Sequence, residues 1–155
     1  MECGMCLIDD GPVRTVLLVD DDELFELLMP RLFKQAQLSI RLHCVRDGEQ
    51  AIDYLKGRRE FTDRSKYPLP DLILLDLKMP KVDGFEVMEW KNRHPELSRL
   101  PVIVWSSSEL PRDKERAYAL GALQYLLKPG SMEDFADIAH DLAAFLETSH
   151  LPVAS

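Results

Sequence analysis

A single aspartate closes the most apolar segment of the chain. Asp76 follows Leu72-Ile-Leu-Leu75, and the chain turns soon afterwards at Pro80. An uninterrupted apolar run of this length is typical of a strand that is covered on both faces of a parallel sheet. Open α/β folds place their chemistry beyond the carboxyl ends of such strands. Asp76 is therefore a candidate functional group at that edge of a sheet.

Other polar side chains follow apolar runs in the same way. Asp20 and Asp21 follow one run, Ser106 follows a second, and Lys128 follows a third. Right-handed crossovers bring the carboxyl ends of parallel strands to one edge of the sheet. We therefore expect these four residues to meet Asp76 at a common site.

The residue types at this site favour phosphoryl chemistry. Clustered carboxylates repel one another and attract a cation, and oxygen ligands without neighbouring His or Cys favour Mg²⁺ over zinc. A carboxylate is also a competent nucleophile toward phosphorus. In this scheme Asp76 attacks, Mg²⁺ screens charge, Lys128 supplies a positive charge and Ser106 donates a hydrogen bond.

Five βα pairs are predicted to position these groups. Short β-branched or leucine-rich runs alternate with helical stretches, which is typical of an α/β fold with a parallel sheet. The strands are predicted at Val13–Val19, Ser39–Val45, Leu72–Leu75, Val102–Trp105 and Leu123–Leu127. The helices are predicted at Asp22–Gln35, from near Asp47, after Asp83-Gly84, at Asp113–Leu120 and at Met132–Leu146.

Two features within these elements carry their own expectations. Pro30 lies inside the first helix and is expected to bend or break it. The charged segment Gly57–Pro70 is longer than most connections, so we expect an exposed loop.

Length and composition indicate one soluble domain. The chain has 155 residues, 46% of them hydrophobic, which is enough for one buried core. The net charge of -8 argues against a nucleic-acid surface. Neither a signal peptide nor a membrane-spanning stretch is evident, so a cytoplasmic location is expected. We predict a flexible leader at residues 1–12, the domain at 13–147 and a tail at 148–155.

Cys3, Cys6 and Cys44 are predicted to be free thiols, because the count is odd and no export signal precedes them. Cys3 and Cys6 have the spacing of a redox or zinc half-site but lack the strand-to-helix context that such a motif needs. Cys44 with His43 could complete a zinc site only if the leader folded back on the second strand.

Ordered motifs along the chain resemble the receiver domain of two-component response regulators. They are the acidic doublet Asp20-Asp21, Asp76 followed by Met79-Pro80 and Asp83-Gly84, Ser106 after an apolar strand, Tyr125, and Lys128-Pro129. The resemblance covers Val13 to Leu146. It implies a flavodoxin-like, doubly wound (βα)5 three-layer sandwich, with a central five-stranded parallel sheet in the order 2-1-3-4-5.

The resemblance also implies roles at the acidic site. Asp76 matches the phosphoacceptor, which takes a phosphoryl group from a sensor histidine kinase, and Lys128 matches the conserved lysine. The Mg²⁺ ligands would be Asp21, Asp76 and the backbone carbonyl of Lys78, with Asp20 reaching the ion through water. Such a domain catalyses its own phosphorylation and dephosphorylation without turning over a separate substrate.

Ser106 and Tyr125 match the switch pair of the family. The hydroxyl moves toward the phosphoryl group and the aromatic ring turns inward, so a new charge shifts the population between two packings. Tyr125 is equally consistent with ordinary strand packing. Two positions depart from the usual pattern: Trp105 precedes the switch hydroxyl, and Gly130 follows Lys128-Pro129.

Partners follow from the same resemblance. The output surface would be the face of the fourth helix, fifth parallel strand and fifth helix, where homodimers form. The long connector is typical of regulators paired with phytochrome-type kinases, and a histidine phosphotransfer protein is a further candidate partner. No DNA-binding output domain, nucleic-acid partner or membrane contact is expected.

Other functions remain open from the residues alone. Asp20 or Asp21 taken singly is more typical of a helix N-cap. A Mg²⁺-dependent aspartate-nucleophile phosphohydrolase also uses a strand-end aspartate, but it usually has a second acid where this chain has Lys78. A degenerate receiver that binds partners without phosphorylation is the third alternative.

Overall fold

The computed structural model describes residues 5–6, 13–35, 37 and 39–148, and these form a six-stranded sheet with helices on both faces. The strands are β1 (Met5–Cys6), β2 (Arg14–Val19), β3 (Ile40–Val45), β4 (Leu72–Leu75), β5 (Val102–Ser106) and β6 (Gln124–Leu127). The helices are α1 (Glu23–Gln35), α2 (Gly48–Lys56), α3 (Gly84–Asn92), α4 (Pro111–Ala119) and α5 (Met132–Thr148).

Five of the strands are parallel and confirm the predicted topology. The order across the sheet is β1-β3-β2-β4-β5-β6, so the five parallel strands lie in the order 2-1-3-4-5 when they are counted alone. β4 is central and all four of its residues are buried. Its apolar composition is therefore explained by helices on both faces of the sheet.

The sixth strand was not predicted. Met5 pairs with Arg41 and Cys6 pairs with Ile40 in an antiparallel ladder at the edge of β3. The leader therefore folds back on the second parallel strand at these two residues, which the prediction of a flexible leader did not include. Cys3 lies outside the described residues, so the hypothesis of a zinc site with His43 and Cys44 stays a prediction.

The two faces of the sheet have separate apolar cores. One core packs α1 and α5 against the sheet and includes Phe25, Met29, Phe33, Trp105, Phe135 and Leu142. The other packs α2, α3 and α4 and includes Ala51, Tyr54, Phe85, Met88, Ala117 and Tyr125. This arrangement is the three-layer sandwich that the family resemblance implies.

Side-chain caps fix the starts of α2, α3 and α5. Asp47 accepts a hydrogen bond from the backbone of Gln50 at 2.8 Å, and Asp83 forms a reciprocal capping box with Glu86. Ser131 caps α5, since its hydroxyl accepts from the Asp134 backbone at 3.2 Å. α1 continues through Pro30, so the expected break does not occur.

Contacts of Arg64 and Phe61 anchor the connector between α2 and β4 to the rest of the fold. The Arg64 guanidinium donates to the carbonyls of Tyr54, Leu55 and Tyr67 at 2.7 to 3.0 Å, which satisfies the carboxyl end of α2. Phe61 is buried and its ring lies 5.1 Å from those of Tyr54 and Tyr67. Most residues of the segment are exposed, as predicted, and these contacts are the exceptions.

No helix of the described residues combines the length and the apolar character that a bilayer crossing requires.

Candidate functional site

Backbone pairing brings the predicted site residues to one edge of the sheet. The Asp20 amide donates to the Val45 carbonyl at 3.0 Å, and the Asp76 amide donates to the Val19 carbonyl at 2.9 Å. Each parallel strand therefore stops beside the end of its neighbour. The site residues follow directly from those strand ends.

Asp20, Asp21 and Asp76 form one acidic cluster. Each offers a carboxylate oxygen, and these three oxygens lie within 4.8 Å of one another. Asp20 and Asp76 are both 4% exposed, whereas Asp21 is exposed. Within the described residues, no hydrogen bond or ion pair engages the Asp21 carboxylate. The cluster therefore has a buried wall and one carboxylate open to solvent.

Lys128 bridges the two buried acids. Its Nζ lies 2.9 Å from Asp20 Oδ2 and 3.1 Å from Asp76 Oδ2, and the Lys128 amide donates to the Ser106 carbonyl at 2.8 Å. Burial lowers the pKa of Lys128, but its hydrogen bonds and charge interactions with Asp20 and Asp76 outweigh burial and leave the pKa raised. Lys128 is therefore a cation held between two carboxylates.

Burial dominates the ionisation of Asp76. It raises the pKa of Asp76 to about 6, and the charge of Asp20 adds to the effect while Lys128 opposes it. Near neutral pH the Asp76 carboxylate is ionised, and Lys128 only partly neutralises the combined negative charge of Asp76 and Asp20. Such a group gains from an added cation, and it is a stronger nucleophile than an aspartate of ordinary pKa.

The donor set fits Mg²⁺. All three groups are carboxylate oxygens, the kind of ligand that Mg²⁺ prefers, and solvent-exposed Asp21 leaves room for retained water. The Lys78 backbone lies beside the cluster because its amide donates to Asp76 Oδ1 at 3.3 Å. Asp20, Asp21, Asp76 and the Lys78 carbonyl are the residues that would hold the ion.

Gly84 allows α3 to begin against the Asp76 backbone. Its amide donates to the Leu77 carbonyl at 3.0 Å. A Cβ at this position would lie 2.3 Å from the Asp76 carbonyl oxygen and 2.8 Å from Leu77 Cα. Both are backbone atoms, so only glycine permits this approach. The Asp83-Gly84 pair of the sequence thus fixes the loop that follows Asp76.

The switch residues are connected through Ser108. The Ser108 amide donates to Ser106 Oγ at 3.0 Å, and the Tyr125 hydroxyl donates to the Ser108 carbonyl at 2.8 Å. Ser106 is fully buried and Tyr125 is 9% exposed. The Tyr125 ring therefore already lies inside, in the position that the resemblance implies for the phosphorylated state. Its role in switching stays a prediction.

Tyr125 also has a contact at the edge of the sheet. Its backbone amide donates to the Tyr118 hydroxyl at 3.1 Å. α4 is thereby joined to β6 through a side chain.

Sequence reasoning missed one polar contact of the site. The Trp105 indole Nε1 donates to Asp20 Oδ2 at 2.9 Å, and both residues are buried. They lie 85 positions apart. A buried tryptophan usually finds an acceptor for its N–H, and the position of Trp105 one residue before Ser106 was the available signal.

Comparisons with known proteins agree with this geometry. The family model described as "Response regulator receiver domain" matches residues 16–140. A curated relative, the response regulator Rcp1 of Synechocystis, is 33% identical over 147 residues, which are 94% of this chain and 98% of Rcp1. The probable methanogenesis regulatory protein FilR2 of Methanothrix harundinacea is 37% identical over 130 residues, which are 84% of this chain and 81% of FilR2.

Two solved structures are similar over most of their length. The Mn²⁺-bound form of Rcp1 has a TM-score of 0.82 and 33% identity, with 90% of this chain and 99% of Rcp1 covered. The phosphorylated cyanobacterial phytochrome response regulator RcpA has a TM-score of 0.84 and 32% identity, with 91% of this chain and 99% of RcpA covered.

Proposed function

This chain belongs to the response regulator receiver family, and from that premise we propose that Asp76 accepts a phosphoryl group from the phosphohistidine of a sensor kinase. The observation that carries the proposal is the placement of Lys128 Nζ, 3.1 Å from Asp76 Oδ2 and 2.9 Å from Asp20 Oδ2. A cation and a carboxylate cluster thus meet around one nucleophile.

Phosphoryl transfer to Asp76 forms one bond to phosphorus and breaks another. An Asp76 carboxylate oxygen forms a bond to phosphorus while the P–N bond to the kinase imidazole breaks, and the imidazole keeps the electron pair. A bound Mg²⁺ supplies charge that neutralises the phosphoryl oxygens. Lys128 pairs with the new anion, and Ser106 donates a hydrogen bond to it. Because the site is buried on one side, these charges act with little screening by water.

Mg²⁺ is the proposed ion, held by Asp21 and Asp76 directly, by Asp20 through water and by the Lys78 carbonyl. The oxygen-only donor set supports this choice over a softer metal. Rcp1 was solved with Mn²⁺, a cation of the same charge that also accepts oxygen ligands.

We propose a phytochrome-type histidine kinase as the partner. RcpA is a phytochrome response regulator and is similar to this chain over nearly its whole length. A histidine phosphotransfer protein is a second candidate, since it presents the same phosphohistidine chemistry. Phosphorylation rates with a purified phytochrome kinase and with a phosphorylated transfer protein would rank the two.

We propose that the output surface comprises α4, β6 and α5, and that it forms a homodimer. A groove of about 470 Å³ lies there, lined in part by Leu110, Tyr125, Leu126 and Ile138. Leu110, Tyr118, Leu123 and Leu127 are exposed on or near this face. An exposed apolar surface of this kind suits association. Sedimentation of the chain with and without phosphorylation tests it, and Leu123→Glu is expected to favour the monomer.

The central experiment measures the phosphoryl adduct. The chain is incubated with Mg²⁺ and acetyl phosphate, or with a phosphohistidine kinase, and we expect an acid-stable, base-labile gain of roughly 80 Da, one phosphoryl group. Asp76→Asn should abolish it. Asp71→Asn is the matched control, because Asp71 precedes the same strand and accepts from the Thr15 amide at the opposite edge of the sheet.

The other functions are outcomes of this experiment. Rapid turnover of small phosphomonoesters would indicate an aspartate-nucleophile phosphohydrolase. Absence of any adduct, with partner binding retained in Asp76→Asn, would indicate a receiver that acts without phosphorylation.

A further inference from the structure

Trp105 is buried between the acidic site and the core of α1 and α5. The indole Nε1 donates to Asp20 Oδ2 at 2.9 Å, and the ring is 0% exposed. The hydroxyl oxygen of Ser106, the next residue of the strand, accepts a hydrogen bond from the Ser108 amide. Successive side chains of a strand point to opposite faces. β5 therefore places the indole on the α1 and α5 side of the acidic site.

Aromatic neighbours hold the indole in this orientation. The Phe25 ring lies edge-on to Trp105 with centroids 5.0 Å apart, and the Phe135 ring lies 5.9 Å away at a steep angle. Phe25 and Phe135 also stack on each other at 5.3 Å. A side chain enclosed in this way has little rotational freedom. The N–H is therefore a fixed donor aimed at Asp20.

The structure gives the Asp20 carboxylate four polar contacts, from three donor groups. Oδ1 accepts from the Asp22 amide at 2.9 Å and from Lys128 Nζ at 3.1 Å. Oδ2 accepts from Trp105 at 2.9 Å and lies 2.9 Å from Lys128 Nζ. A carboxylate has about four lone-pair sites. The donors are thus two rigid groups and one flexible side chain.

We propose that Trp105 is a positioning residue of the cation site: its indole N–H fixes the orientation of the Asp20 carboxylate, and this contact would remain when a divalent cation is bound. This inference rests on the proposed function, because it concerns the same Mg²⁺. Hydrogen-bond partners of metal-binding carboxylates orient them, and removing such a partner typically weakens metal affinity by about 10- to 100-fold.

The first test compares Mg²⁺ affinity by isothermal titration calorimetry. Trp105→Phe removes the donor, and we expect affinity to fall by about 10-fold. Phe135→Leu is the matched control, because it disturbs the same aromatic group without touching Asp20. We expect Phe135→Leu to lower thermal stability while Mg²⁺ affinity stays within about twofold. An equal loss of affinity in both variants would show a packing effect and overturn the proposal.

A second variant preserves the volume of the ring. In a Trp90→Phe chain, 3-benzothienylalanine is incorporated at position 105, which replaces the N–H by sulfur at nearly the same shape. The same affinity loss of about 10-fold is expected, since only the donor is absent. Unchanged affinity would overturn the proposal even if Trp105→Phe failed to fold.

The third measurement follows the contact itself. The Trp90→Phe chain has Trp105 as its remaining indole, so one ¹⁵N indole resonance reports on it. Mg²⁺ titration should shift this resonance with the same Kd as calorimetry, and the indole proton should remain protected from solvent exchange. A resonance that stays fixed through saturation, or that loses protection, would contradict the inference. If the unaltered chain binds no Mg²⁺, the proposed metal site falls as well; if it binds and the Trp105 variants bind equally, this inference alone falls.

Discussion

Lys128 and Asp76 form a partly buried ion pair in which Nζ and Oδ2 lie 3.1 Å apart. The Lys128 charge does not fully neutralise Asp76, because Asp20 contacts the same ammonium at 2.9 Å. Two carboxylates therefore compete for one lysine. Burial is the main cause of the raised pKa of Asp76, and the charge of Asp20 adds to it while Lys128 opposes it. The raised pKa gives a pH dependence that can be measured.

Asp76→Asn should stabilise the metal-free chain at neutral pH. The pKa of Asp76 is raised from 3.8 to about 6 in the folded protein, so folding favours its protonated form. That contribution is fully present below pH 3.8 and is lost as pH rises through about 6. We expect Asp76→Asn to gain about 1 kcal/mol at pH 7, a value reduced for solvent screening near exposed Asp21.

Urea unfolding between pH 4 and pH 8 checks this expectation. The advantage of Asp76→Asn should be largest above pH 6 and should shrink as pH falls toward 4. A gain that is independent of pH would mean that the raised pKa is not its cause.

Asp21→Asn should remove cation binding with little cost to the fold. Asp21 is exposed and contributes one oxygen to the cluster. In the unaltered chain, Mg²⁺ at ~100 times its Kd should stabilise the fold by about 2.7 kcal/mol. Thermal unfolding with and without excess Mg²⁺ should show a large rise in Tm that Asp21→Asn loses.

Asp22→Asn is the neighbouring control for this change. Its Oδ1 accepts from the Leu24 amide at 2.9 Å, and asparagine can retain that contact. The Mg²⁺-dependent rise in Tm should therefore persist in Asp22→Asn. Loss of the rise in both variants would point to general charge rather than ligation.

Gly84→Ala should destabilise the loop after Asp76. The added methyl would meet the Asp76 carbonyl oxygen at 2.3 Å, so the start of α3 must move. We expect a loss of about 2 kcal/mol in the free energy of unfolding and slower phosphorylation by acetyl phosphate. Gly130→Ala is the control, since no atom lies within 4 Å of its Cβ position. Similar losses in the two variants would contradict the explanation.

Tyr125→Phe should cost about 1 to 2 kcal/mol, because it leaves the buried Ser108 carbonyl without its donor. Tyr118→Phe removes the acceptor of an amide nearer to solvent and should cost less than about 0.5 kcal/mol. Chemical denaturation of both variants distinguishes the two contacts. If Tyr125→Phe were neutral, the inward ring would be held by packing alone.

The phosphoryl group on Asp76 should be long-lived, for minutes or longer, since no positioned general base is evident to activate water. The family resemblance implies that Lys78 and Ser108 line the path of the attacking water. Lys78 is exposed, and the Ser108 hydroxyl donates to Asp113 Oδ2 at 2.6 Å. Loss of the adduct, followed by mass spectrometry after removal of the donor, gives the lifetime. Decay within about a second would refute the prediction. Ser108→Ala should leave the lifetime unchanged within about twofold if the hydroxyl takes no part.

The sequence was most informative where a local pattern and a strand end coincide. Asp20, Asp76 and Lys128 each follow an apolar run, and parallel pairing then requires them to meet. The helix starts at Asp47 and at Asp83-Gly84 were equally local. These features could be predicted because neighbouring residues determine them.

Contacts between distant residues could not be predicted in this way. The two-residue strand Met5–Cys6 is too short to show a period of two. The Arg64 guanidinium reaches back across the connector to the Tyr54 and Leu55 carbonyls at the end of α2, and no local pattern signals that contact. Trp105 lies on β5 and Asp20 follows β2, so the departure from the usual family pattern singled out the tryptophan but not its acceptor.

The hydroxyl of Tyr118 has a consequence for assembly. β6 is the outermost strand on its side of the sheet, and the Tyr125 amide is already occupied by that hydroxyl. A strand of another molecule that paired with β6 could not use the Tyr125 amide as a hydrogen-bond donor. This disfavours aggregation through the edge of the sheet. The occupied Tyr125 amide therefore favours partners that bind the side chains of this edge over partners that add a strand to the sheet.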